Sequence, residues 1–238
     1  MAPPTTLSPP RTPVAFRVGV SSHRPNRLRE AEPEQLDAVI GQVLKRVREN
    51  VLSFHGTPQA SGTYLPDPPR LCIASALAEG SDRLVAAQAL GLGFSLCCPM
   101  PYAKAEYERD FDAVRALEPR SLETFHSLLE QARAGAGLTT FELDGSRSDP
   151  GASYGAAGRI VVNQSDLLIV VWDGREAQGS GGTIQTLHEA IHYQVPVLWI
   201  DAVAPHAWQL ILAESDYPSL PPAAAVLPMP RRTPFGVS

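Results

Sequence analysis

YGAAGRIVVNQSDLLIVVWDGREAQGSGGTIQTLHEAIHYQVPVLWID, residues 154–201, decides how the rest of the chain reads. Within it an apolar run, 166–172, delivers the chain into Gly179-Ser180-Gly181-Gly182-Thr183. That glycine-rich loop opens a helix to about Tyr193, and a second apolar run, 196–200, follows. Strand, glycine-rich loop, helix, strand is the unit that leaves bare backbone N–H groups at a helix N-terminus, where a phosphate can bind.

The same alternation extends toward the N-terminus. Residues 14–20, 70–75, 94–99 and 138–143 read as apolar strands, and 34–54 as an amphipathic helix with Leu36, Val39, Ile40, Val43, Leu44, Val47 and Val51 at helical spacing. Residues 81–91, 103–115, 121–134 and 153–164 read as further helices, and 56–69 as a Gly- and Pro-rich loop. The strands are apolar along their length rather than alternating, which fits a parallel sheet covered on both faces. The expected fold is therefore α/β, a doubly wound, mostly parallel Rossmann-like sheet with ligands at the carboxyl ends of its strands. One domain is expected over 14–217, between disordered Pro-rich segments at 1–13 and 218–238.

Composition narrows the function classes. A net charge of −5 without a Lys/Arg cluster argues against a general nucleic-acid binder. Three cysteines are too few for a disulfide framework, and Cys97 and Cys98, adjacent in a strand, should face opposite ways. All three read as buried small hydrophobes. No CxxC or HExxH spacing appears. His188 and His192 share a helix face but have no evident third ligand, so neither a metal nor a cofactor is expected. No run approaches the ~20 apolar residues of a membrane span, and no secretory leader precedes the domain. A soluble, cytoplasmic protein is expected, with no direct membrane contact.

Four strand ends hold the candidate site residues. Gly19, Ser21, His23 and Arg24 follow the first strand and would suit a phosphate or ribose, or simply end the strand. Glu79, Gly80, Ser81, Asp82 and Arg83 follow the second. There Ser81 or Asp82 would cap the next helix, and the carboxylates would bind ribose hydroxyls or act as acid and base, with Asp82–Arg83 equally readable as a structural pair. After the third come Tyr102, able to stack on a base, and Arg109 on a charged helix face. Asp173 and Gly174 end the fifth strand, before Gly179, Gly181, Gly182 and Thr183, whose hydroxyl would cap the helix. Glu189 lies nearly two turns into that helix, facing the site or the solvent. The loop carries no Lys, which argues against an ATPase, and no GxSxG signature is present.

In this order GVSSHRP, SALAEGSDRLVAAQAL, PMPYAKAEYERDF and AGRIVVNQSDLLIVVWDGREAQGSGGT resemble the motifs of one group. That group is the SLOG superfamily, Rossmann-like domains related to DprA and to LOG-type phosphoribohydrolases, here in a form with GHR-, WDG- and GGT-type motifs. The resemblance covers about residues 14–201. It implies one of two activities. Hydrolytic members carry P-G-G-x-G-T-x-x-E, but here Thr186 holds the Glu position and the first Pro-Gly is absent. The expectation is therefore a nucleotide-derived-ligand sensor, taking an ADP-ribose-like molecule or nucleoside phosphate, in a bacterial signalling or defence setting. It would be a homo-oligomer, with a separate effector protein and no nucleic acid as partner. The alternative is a hydrolase or transferase acting on N-glycosidic bonds, with Glu79, Asp173 and Glu189 as the catalytic carboxylates. A third reading is a structural domain with a vestigial site.

Overall fold

A computed structural model describes residues 10–25, 33–112, 114–174, 182–205 and 208–212. Most of both Pro-rich segments lies outside them, as do Gly179 and Gly181. Seven strands form one sheet: β1 Ala15–Ser22, β2 Arg70–Ala74, β3 Ser95–Met100, β4 Leu138–Glu142, β5 Leu167–Trp172, β6 Val197–Asp201 and β7 Trp208–Ile211. Their order is β4-β3-β2-β1-β5-β6-β7, every pair parallel except β6 with β7. The helices are α1 Pro33–His55, α2 Pro58–Thr63, α3 Ser81–Gly91, α4 Lys104–Glu108, α5 Ser121–Ala134, α6 Pro150–Asn163 and α7 Thr183–His192. The doubly wound α/β architecture is the one expected from the sequence.

β5 explains why the sheet needs two helical layers. All six of its residues are buried, and successive side chains point to opposite faces. Ile169 and Val171 join Val18, Val20, Leu36, Ile40, Val85 and Phe125 in one core. Leu168, Val170 and Trp172 join Val161, Val162, Leu187 and Ala190 in the other. Each such side chain contributes about 1.5–3 kcal/mol by leaving water. α1 packs on α3 and α3 on α5 over the first core, while α6 packs on α7 over the second. Cys97 and Cys98 divide between the two layers, with Cys72 only partly buried.

The chain departs from the expected pattern in four places. β4 is an edge strand whose last four residues are exposed, not an apolar run. The helix expected over 103–115 stops at Glu108. The loop expected over 56–69 contains α2, whose N-cap Thr57 accepts from Ala60 N at 3.2 Å ahead of Pro58. β7 adds an antiparallel edge, against which Val197 pairs with Ile211.

Strand order fixes where a site can form. β1 and β5 are neighbours, with Ser22 opposite Val171. The chain leaves β1 for the α1 layer and β5 for the α7 layer, which makes their carboxyl ends the place where a doubly wound sheet opens a crevice.

Candidate functional site

His23 and Asp173 close the floor of that crevice. His23 N–H donates to Val171 O at 3.1 Å, continuing the ladder one residue past β1. Its Nε2 lies 2.7 Å from Asp173 Oδ1, and both side chains are buried. Against a carboxylate that nitrogen must carry hydrogen, so the pair fixes the ring and its tautomer.

Beside them Ser22 Oγ donates to Asp82 Oδ1 at 2.6 Å. Burial pushes the Asp82 carboxyl up to about 6, against the opposing pull of the Ser22 hydroxyl, Arg24 and Arg83. Gly80 makes this junction possible. Its φ is +97°, and a Cβ there would run into His23 O. Gly80 is also the N-cap of α3, so the expected cap role of Ser81 or Asp82 is not what forms: both lie in the first turn. Asp82 does place its carboxylate where the helix dipole favours it.

Several other expected ligand residues are taken up by the fold. Gly19 lies inside β1, where a Cβ would overlap Ser165 Oγ and press on Leu168 and Val161, so its smallness serves the α6 contact. Ser21 is half-buried in the same strand, opposite Val170. Glu79 is buried, and its Oε1 accepts from Leu117 N at 2.9 Å and Glu118 N at 3.2 Å, tying down the loop before α5. Arg83 turns inward rather than toward the crevice. It donates through Nε to Leu77 O at 3.0 Å and through Nη1 to Ser121 O at 2.8 Å and Ser121 Oγ at 2.9 Å, with its guanidinium 4.4 Å from the Phe111 ring centre. Tyr102 is buried among Tyr107, Tyr154 and the Arg147 guanidinium, which leaves no ring face for a base.

The α7 candidates divide similarly. Gly182 is the N-cap, so Thr183 is the first helical residue and does not cap it. Glu189 is buried, 3.8 Å from Arg159 of α6, with Gln185 Nε2 donating to it at 3.3 Å, and burial raises its carboxyl. Gly174, at φ +76°, turns the chain out of β5. Arg109 is exposed and pairs with Glu106 at 2.8 Å.

A linked set of side chains, three of them (Arg24, Tyr102 and Arg109) singled out from sequence, lies beside these strand ends. Arg24 is an exposed residue, but its guanidinium is partly withdrawn from water against Tyr154, 5.1 Å from the ring centre. Tyr154 hydroxyl donates to Asp110. Arg147 reaches Asp110 at 2.5 Å and Glu106 at 2.6 Å while lying 4.2 Å over the Tyr102 ring. Arg109, Arg115 and Arg147 with Glu106 and Asp110 then line a recess of about 450 Å³. Arg147 lies in a loop without periodicity and Arg115 at the end of the helix expected over 103–115, so nothing local in the sequence marks either as a site residue. Among the described residues no group of three or more His, Cys, Asp or Glu is placed to hold a metal. No described helix is long and apolar enough to cross a membrane.

No protein-family profile matches the chain, and no curated protein does. Among solved structures, DNA processing protein A from Helicobacter pylori is similar at 17% identity and a TM-score of 0.44, over 78% of this chain and 65% of that one. The chain thus spans about two thirds of the length of that protein, whose single-stranded DNA binding mode is what its structure describes. The likeness is one of fold. It corrects two expectations. The similar structure is that of a single-stranded DNA-binding protein, against the expected nucleotide-signal or N-glycosidic ligand and against the expected absence of a nucleic-acid partner.

Proposed function

We propose that the carboxyl edge of the sheet binds the phosphodiester backbone of single-stranded nucleic acid. The observation that carries this reading is the contiguous row Arg24, Arg147, Arg109 and Arg115, joined through Tyr154 and Asp110. Three guanidinium groups, Arg109, Arg115 and Arg147, face two carboxylates, Glu106 and Asp110, in that recess, and Arg24 stands beside it across Tyr154, on a chain of net charge −5. Guanidinium forks match phosphate oxygens, and Arg24 is held ready by its aromatic seat. Arg24 is the anchor, since Arg147 already bonds two acids and Arg109 one. The support comes from these arginines, not from the fold likeness.

Fluorescence anisotropy of a labelled oligothymidylate at low salt tests the reading. The wild-type chain raises the anisotropy saturably, and Arg24→Glu abolishes the rise while circular dichroism stays unchanged. No saturable rise at low salt, or an unaltered isotherm for Arg24→Glu, overturns it.

A further inference from the structure

We infer that a cavity at the opposite, amino end of the sheet binds a hydrophobic organic cation of the arylalkylamine class. The cavity holds about 480 Å³ between the start of β1, the second half of α1 and the segment after α2. That is the size of a small-molecule site, which runs from about 300 to 1,000 Å³. Val14, Val47, Val51 and Leu167 make its walls apolar. Three rings, Phe16, Phe54 and Tyr64, also line it, with Phe54 and Tyr64 edge to face at 6.1 Å. Phe54 stays 40% exposed, so one aromatic surface at the mouth is left uncovered.

The charge of the occupant follows from Asp166, the one ionisable acid or base among the described residues lining the cavity apart from the Tyr64 phenol. Its Oδ2 accepts from Arg17 N at 2.8 Å, which fixes the carboxylate at the mouth. A carboxylate has about four acceptor positions, so capacity remains for a ligand ammonium. The Arg17 side chain does not neutralise it. Consecutive strand residues point to opposite faces, and Arg17 acts on Cys72 and Cys97 in the other layer. A carboxylate beside several aromatic faces attracts a cation and repels an anion. The apolar depth requires a hydrophobic body behind that charge.

The test uses the full chain with phenethylamine, neutral phenethyl alcohol and anionic phenylacetate, followed by amide chemical shifts of Val47, Val51 and Tyr64. Phenethylamine saturates those shifts and binds roughly threefold more tightly than the alcohol. Phenylacetate binds most weakly. Asp166→Asn keeps an oxygen for the Arg17 N–H and erases the preference for the amine, while Val51→Phe fills the cavity and removes binding of all three. If Val51→Phe does not fold, the Asp166→Asn comparison decides alone. No saturable shift, equal affinities for amine and alcohol, or a preference that survives Asp166→Asn overturns the proposal.

Discussion

A carboxyl group whose burial outweighs the pull of its partners holds its proton longer than one in water. Asp82 is such a group, and its raised value of about 6 has a consequence for stability. In the unfolded chain an Asp titrates near ~3.9. Between those values the folded state binds more protons than the unfolded one, so stability falls as pH rises through the window and is flat above it. The contribution is fully present below pH ~4 and is lost on passing pH ~6, on the order of 1–3 kcal/mol. Asp82→Asn has no proton to lose. Urea denaturation of both proteins from pH 4 to 8 should show their difference changing only across that window; parallel curves would refute the account. Gly80 makes a harder demand. At φ +97°, with His23 O where a Cβ would go, Gly80→Ala should cost about 2–3 kcal/mol, seen as a lower denaturation midpoint.

The helix α3 is locked to α5 by Arg83, and the lock is a fork. Its Nε and Nη1 reach Leu77 O and Ser121 in directions a lysine ammonium cannot match at once. Arg83→Ala should therefore destabilise by about 3 kcal/mol, and Arg83→Lys should recover less than half of that in thermal denaturation. A variant that keeps full stability would return Arg83 to the crevice. The ends of α3 and α5 match the expected 81–91 and 121–134 to the residue, although neither helix has a side-chain N-cap. The helix end at Glu108 was not legible, since a local turn at Asp112 and a distant carboxylate, Glu79, intervene. Asp112 accepts from Val114 N and Arg115 N, and Glu79, 38 residues from Leu117, accepts from Leu117 N. A pattern of nearest neighbours carries no record of such a partner. The same reason separates the site candidates. The placing of His23, Asp82 and Asp173 at strand ends was readable from the strands before them, but the burial of Glu79 and Tyr102 and the arrival of Arg147 depend on chain segments brought together only by the fold.

At the scale of the whole molecule two electrostatic effects oppose each other. The net charge of −5 repels a polyanion, and that repulsion weakens as salt is added. Direct phosphate contacts release counterions, and that gain also weakens as salt is added, which lowers affinity. The two predict opposite signs for the salt dependence of oligothymidylate binding. Arg24, Arg109 and Arg115 offer three contacts, Arg147 being committed to Asp110 and Glu106. Three phosphates on a single strand give a slope of log affinity against log salt of about −2. Between 50 and 200 mM salt the affinity should then fall roughly fifteenfold, and Arg24→Ala should reduce the slope by about 0.7. Local contacts win because they act at bonding distance, whereas charges spread over the surface are screened beyond ~10 Å at 0.1 M salt. An affinity that rises with salt would mean that the net charge dominates and that the arginine row does not hold phosphates. A slope unchanged in Arg24→Ala would place the contacts elsewhere on the chain.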